Sequence, residues 1–177
     1  NNTGAISVSV SGYNTAAGIY SITQDGDTNI TNGTKAINVS SEYGTALGIS
    51  ADSYSGDITI GSNGAITVNG YSVAGIAASA GYYSEYGGSI GNVSVTTGST
   101  SNINANGDYA AGIYLYATGN VSVSNGGAIL ANSSGEYGSA VGIYINAYGT
   151  ATVTNSGSIK ATGSDPWAIS SYAEATQ

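Results

Sequence analysis

Asn63-Gly64-Ala65-Ile66-Thr67-Val68-Asn69-Gly70-Tyr71-Ser72-Val73-Ala74-Gly75-Ile76 decides the fold of this chain. The stretch opens on an Asn-Gly corner, runs through an alternating apolar pair, turns at a tyrosine and closes on Gly-Ile. Alternation with period two means a strand with one buried face. Asn and Gly suit the left-handed backbone that a sharp corner needs. The phrase then repeats in both directions. Gly-Ile recurs at Gly18-Ile19, Gly48-Ile49, Gly75-Ile76, Gly112-Ile113 and Gly142-Ile143 and fades to Ala168-Ile169, at spacings of 30, 27, 37, 30 and 26 residues. A repeat of this length without helix formers marks a solenoid.

Each repeat holds three short apolar words. Strand A is Ile6-x-Val8, Ile37-x-Val39, Ile66-x-Val68, Ile103-x-Ala105, Ile129-x-Ala131 and Ile159-x-Ala161. Strand B places apolar residues two before, at and two after the Ile of Gly-Ile, as in Leu47, Ile49 and Ala51, in Ala111, Ile113 and Leu115, and in Val141, Ile143 and Ile145. Strand C is Ile58-x-Ile60, Val93-x-Val95, Val121-x-Val123, Ala151-x-Val153 and, more weakly, Thr28-x-Ile30. No i, i+3, i+4 stripe lasts two turns, so helices are not expected. The expectation is an all-β fold, a right-handed parallel β-helix (β-solenoid) of about six coils with three strands per coil and about 30 residues per coil. It forms a single β-solenoid domain over residues 1–177. Six rungs at about 4.8 Å make a rod roughly 25–30 Å long.

A low-charge chain rich in Gly, Ser, Asn and Thr can be disordered, but here 41% of residues are apolar and they hold their phase throughout. A disordered tract has no reason to keep that phase. The longest repeat carries its extra length at residues 80–88 and 97–102, and loop extension of this kind costs little. The corner asparagines Asn32, Asn63, Asn125 and Asn155 are placed to hydrogen-bond along the stack as a ladder.

Charge narrows the function. The net charge is −8, Lys35 and Lys160 are the only cations, and Arg and His are absent. Nucleic acid is excluded as a partner, because phosphate neutralisation needs several Lys or Arg; an anionic membrane surface is excluded for the same reason. No apolar run approaches the length of a membrane span, so no membrane insertion is expected in this segment. Cys is absent too, which removes disulfide frameworks and thiolate sites. Without His or Cys the common general bases and nucleophiles are missing, and Lys35 and Lys160 lie four coils apart. The expectation is therefore a non-enzyme without a cofactor. Hard cations take several carboxylate oxygens, which makes Asp25 and Asp27 of Asp25-Gly26-Asp27 weak calcium candidates beside their plainer reading as solvated loop acids.

Fifteen Tyr and one Trp, with no Phe, put amphipathic rings at a wet surface. Tyr13, Tyr43, Tyr71, Tyr109, Tyr137 and Trp167 fall one per repeat at the A–B turn. They are the candidate ligand or partner surface, either a platform for sugar rings or a self-supporting ladder that stiffens the rod. Tyr20, Tyr114 and Tyr144 follow the Gly-Ile word as a second outward set, with Tyr116 beside them.

Val153-Thr154-Asn155-Ser156-Gly157-Ser158-Ile159-Lys160-Ala161, together with the stretch from Asn63 to Ile76, resembles the repeats of bacterial autotransporter passengers and related secreted β-helical adhesins. The resemblance covers essentially the whole chain and implies a rigid extracellular stalk, matrix element or adhesin at the surface of a Gram-negative bacterium. The function expected is thus a non-catalytic extracellular structural or adhesive β-helix that meets glycans or host and neighbour cell surfaces. The alternative is a carbohydrate-binding module using the tyrosine column. Self-association end to end into filaments is also expected, through ends marked by Asn1, Ile6, Ile169 and Gln177. From Ile169 through Gln177 to Ile6 of another copy is 14 residues, close to the 16 that separate Ile143 from Ile159.

Overall fold

A computed structural model describes residues 1–82 and 88–174. The chain is an all-β parallel β-solenoid of about five turns, with three strands and about 30 residues per turn. The first turn is β1 (Ile6–Val10), β2 (Ala16–Thr23) and β3 (Thr28–Asn32), and the second is β4 (Ile37–Ser41), β5 (Thr45–Ser53) and β6 (Ile58–Ser62). The third is β7 (Ile66–Asn69), β8 (Ser72–Tyr82), the short β9 (Ser89–Ile90) and β10 (Val93–Thr97). Then come β11 (Asn102–Gly107), β12 (Tyr109–Ala117) and β13 (Val121–Asn125), followed by β14 (Ala128–Ser133), β15 (Ser139–Ala147) and β16 (Ala151–Asn155). β17 (Ser158–Thr162) and β18 (Asp165–Ala173) close the described chain.

Three parallel sheets result. Face A stacks β1-β4-β7-β11-β14-β17, face B stacks β2-β5-β8-β12-β15-β18, and face C stacks β3-β6-β10-β13-β16. Six rungs on two faces but five on the third make about five turns rather than the six expected, because no C strand follows β18 among the described residues.

Like residues sit on like residues. Ile6, Ile37, Ile66, Ile103, Ile129 and Ile159 are register partners along face A. Along face B the same holds for Ile19, Ile49, Ile76, Ile113, Ile143 and Ile169. In the middle rungs these side chains are fully buried, and burying each contributes roughly 1.5–3 kcal/mol. At the ends, Ile6, Val8, Ile19 and Ile30 on one side and Val153 and Ile159 on the other are only partly covered.

Simple alternation misplaces one row of strand B. Leu47, Ala111 and Val141, expected inside, lie on the outer face, while Ala46, Val73, Ala110 and Ala140 enter the core. The glycine explains the change. A Cβ on Gly18 would meet Ile37 Cγ2 at 2.5 Å and the Gly48 carbonyl oxygen at 2.7 Å, so this glycine faces inward like the Ile after it. Gly48, Gly75, Gly112 and Gly142 are crowded in the same way by the Ile of the following rung. Two successive inward positions shift the phase by one residue, and glycine in a strand commonly marks such a close approach. Ala168 takes this place in β18, the last rung of face B among the described residues.

The Asn-Gly corners also differ from expectation. Among the described residues the glycines with left-handed φ are Gly12, Gly26, Gly56, Gly81 and Gly163, none of them at a C-to-A corner. The corner glycines are needed for closeness instead: a Cβ on Gly64, Gly127 or Gly157 would overlap the carbonyl oxygen of Lys35, Ser101 or Gly127. Beside them runs a buried polar row. Asn2 Nδ2 donates to Asn32 Oδ1 at 2.8 Å, Asn32 Nδ2 to Ser62 Oγ at 3.1 Å, and Asn125 Nδ2 to Asn155 Oδ1 at 2.7 Å. Ser62, not Asn63, holds the second-turn place in this row, since Ser62 is the register partner of Asn32. Buried polar groups need partners, and among the described residues no buried side-chain nitrogen or oxygen lacks one.

The insertion of the longest repeat is a hairpin. β8 extends to Tyr82 and β9 pairs back against it antiparallel, Gly81 opposite Ile90. Residues 83–87 lie outside the described residues, as does Gln177 at the expected self-assembly end.

Candidate functional site

The phase change at the glycine gives face B an apolar outer surface. Two residues before each Ile, Ala17, Leu47, Ala74, Ala111, Val141 and Trp167 are register partners. One residue after it the row reads Tyr20, Ser50, Ala77, Tyr114, Tyr144 and Ser170, and three after it Ile22, Asp52, Ser79, Tyr116, Asn146 and Tyr172. Parallel stacking sets ring spacing to rung spacing. Tyr114 and Tyr144 accordingly lie face to face at 4.8 Å and 10°. Burial first, and then Tyr144, raises the Tyr114 phenol above its usual pKa of 10.0. Tyr116 meets Tyr148 edge-on at 6.1 Å.

The tyrosines of the A–B turn do not form one column. Tyr13 pairs with Tyr43 at 5.5 Å and 35°, and Tyr71 with Tyr109 at 5.5 Å and 73°. Tyr109 is itself the register partner of Ser72 and Ser139, so Tyr71 and Tyr137 lie one and two residues ahead of that position. Tyr137 is 87% exposed. Trp167, expected in the same turn, stands inside β18 opposite Val141, with its Nε1 donating to Asp165 Oδ1 at 3.0 Å. The carboxylate of Glu42, mainly by hydrogen bonding, raises the Tyr43 phenol; charge repulsion from Tyr109 is the leading cause at Tyr71.

Between the two sets lies a shallow depression of about 270 Å³, with Leu47, Ala74, Ala111 and Val141 in its floor and Tyr109 and Tyr114 beside them. Small residues there leave room against aromatic walls. Such a surface suits the apolar face of a sugar ring or a partner's side chain.

The acidic loops turn out to stitch rungs together. Asp27 Oδ1 accepts the Asp57 backbone N–H at 2.9 Å, Asp57 Oδ1 that of Asn92 at 2.8 Å, Asn92 Oδ1 that of Asn120 at 2.8 Å, and Asn120 Oδ1 that of Thr150 at 2.8 Å. Asp25 Oδ1 accepts from Ser55 Oγ at 2.9 Å. The two calcium candidates therefore each bond the next turn, and among the described residues no three His, Cys, Asp or Glu side chains converge as metal ligands. This row was not among the sites expected from the sequence, although its members share a signal: each immediately precedes strand C. A second polar row was missed as well, in which Asn132 Nδ2 donates to Asn106 Oδ1 at 2.8 Å and Asn106 Nδ2 to Asn69 Oδ1 at 3.1 Å.

The proposed ends are far apart along the stack. Asn1 and Ile6 lie at the first rung and Ile169 in the last, where it is 43% exposed. In comparisons with protein-family models, curated proteins and solved structures, none matches this chain.

Proposed function

We propose that this chain is a non-catalytic structural or adhesive element of an extracellular surface, a stiff rod that presents aromatic side chains on face B. The observation that carries the reading is the pair Tyr114 and Tyr144, in register on adjacent parallel strands and stacked at the rung spacing, on a surface where Tyr20, Tyr109, Trp167 and Tyr172 are also exposed. Holding bulky rings in the open costs solvation, and exposed aromatic patches commonly mark interaction surfaces. The likeness of the rungs to autotransporter passengers and secreted β-helical adhesins supports a place at the surface of a Gram-negative cell, and glycans or cell surfaces as partners. Adhesion of the purified protein to glycan arrays and to bacterial or host cells tests it. Binding that falls at least tenfold in Tyr71→Ala/Tyr109→Ala, with the far-ultraviolet β-spectrum intact, supports the reading. Unchanged binding in that variant and in Tyr114→Ala/Tyr144→Ala removes face B from it.

The part-covered apolar rungs at both ends favour end-to-end association as a second property, since unpaired strand edges recruit strands. Ala168 sets a condition on the joint. A rung stacked on β18 in the register of the other turns would drive its Ile onto the Ala168 Cβ, as Ile159 would meet a Cβ on Gly142. A joint must therefore shift there. Electron microscopy and sedimentation of wild type and Ala168→Gly decide the matter: fibres that lengthen with the glycine support in-register joining, and monomers in both variants remove it.

A further inference from the structure

Six aspartates occur in the chain, and five of them have a hydrogen-bond partner, four of these on a neighbouring turn. Asp25, Asp27, Asp57, Asp108 and Asp165 each accept a hydrogen bond, from Ser55, Asp57, Asn92, Ser134 and Trp167 in turn. Asp52 is different. It sits near the C-terminal end of β5 on the outer face, between Ile22 and Ser79 on neighbouring strands, and among the described residues its carboxylate has no hydrogen-bond or ion-pair partner. Burial alone raises its pKa above the ordinary 3.8, with no cation nearby to offset it. A half-buried carboxylate without a partner is a cost to the fold, and a register position filled by Ser79 and Asn146 in other turns did not require one.

Asp52 opens into a cleft of about 460 Å³ that Tyr20, Tyr54, Tyr82 and Tyr116 also line. The cleft exists because Ser79 is small where Tyr116 fills the same row one strand further on. Neither lysine lines it. One carboxylate among tyrosine rings is the chemistry that holds an organic cation: the charge is met by Asp52, and the apolar substituents by ring faces whose quadrupole attracts cations. Anionic ligands are disfavoured by Asp52 itself and by the net charge of −8.

We propose that the cleft around Asp52, Tyr20, Tyr54, Tyr82 and Tyr116 binds an alkylammonium group. The site is separate from the Tyr71–Tyr109 surface and does not depend on the adhesive reading. Choline serves as the probe, its uncharged tert-butyl isostere and methyl glucoside as controls, with tyrosine proton shifts read by NMR on the whole chain. Saturable choline binding is expected, at least tenfold tighter than for either control and weakening as salt rises. Asp52→Asn is expected to lose at least tenfold of it, and Asp27→Asn none. Tyr54→Ala, away from the core rows, is expected to weaken it as well. No saturable choline binding, equal binding by Asp52→Asn, or methyl glucoside binding as well as choline would each overturn the proposal, the last in favour of a neutral sugar site.

Discussion

Two columns of strand B stand one residue apart and follow opposite rules. The inner one reads Ile at all six rungs, from Ile19 to Ile169, and the outer one reads Tyr20, Ser50, Ala77, Tyr114, Tyr144 and Ser170. Inside, each residue of the middle rungs meets a copy of itself above and below, and a change in one rung is felt by its neighbours. Outside, solvent replaces half of those contacts, and the residue is free to vary from turn to turn. Repetition in this molecule is a property of the packing, whereas individuality is confined to the surface and is the place to look for function. The depression beside Tyr109 arises where this outer column shrinks to Ala77, and the cleft at Asp52 where the next outward row shrinks to Ser79.

If the inner column is the stabilising one, Ile113→Ala should have the largest effect. It leaves a cavity at a site with no exposed surface, and urea unfolding should record a loss of roughly 2–5 kcal/mol. A neutral result would reverse the assignment of the two columns. Gly112→Ala comes next. Its Cβ would overlap Ile129 Cγ2 and lie 2.6 Å from the Gly142 carbonyl oxygen, so a loss of about 1–3 kcal/mol is expected by the same measurement. Ala168→Gly, at the equivalent place in the last described rung, should leave the unfolding midpoint nearly unchanged, and a difference between the two alanines is what identifies crowding by the following rung.

On the outer column the expected effects are smaller. Tyr114→Ala removes one stacked ring and should cost roughly 0.5–1.5 kcal/mol beyond its lost area, measured against Tyr144→Ala and the double variant. The smallest change is expected for Asp52→Asn, and its sign is opposite. Because the folded-state pKa of Asp52 is raised, its contribution is fully favourable below the unfolded value near 3.8 and is lost as pH rises through the folded value. At neutral pH the asparagine variant should therefore melt slightly higher than wild type, and the gap should close in acid. A variant that melts lower at neutral pH would mean that Asp52 has a stabilising partner.

The parts of the fold that repeat residue by residue were legible. Strands A and C were placed correctly from Ile66-x-Val68 and its copies, because an apolar pair two apart admits one buried face. Strand B was legible only in part. Period two cannot be counted through Gly48 or Gly112, where a missing side chain lets two adjacent residues face inward, and so Leu47 and Ala111 were assigned to the wrong side. Trp167 went astray for a related reason: spacing from the Gly-Ile word does not distinguish the turn from the strand beside it. The carboxylate row through Asp27 and Asp57 was hidden more deeply, since each bond joins residues 30 or 35 apart and exists only once turns are stacked. Nothing in the local sequence around Asp52 marks it out, and only its row on face B sets it beside Ile22 and Ser79.

The side-chain rows that join successive turns run along the rod, as do the backbone bonds between parallel strands. Their direction has a mechanical meaning. A pull on the two chain ends does not load all turns at once; it loads the bonds of whichever outer turn is being lifted, while the turns beneath remain paired on all three faces. The rod should then yield by peeling, one turn after another, in a series of small force steps of similar height. Gly112 and its counterparts set the height of each step, because the closeness they permit is what brings one turn's Ile against the next.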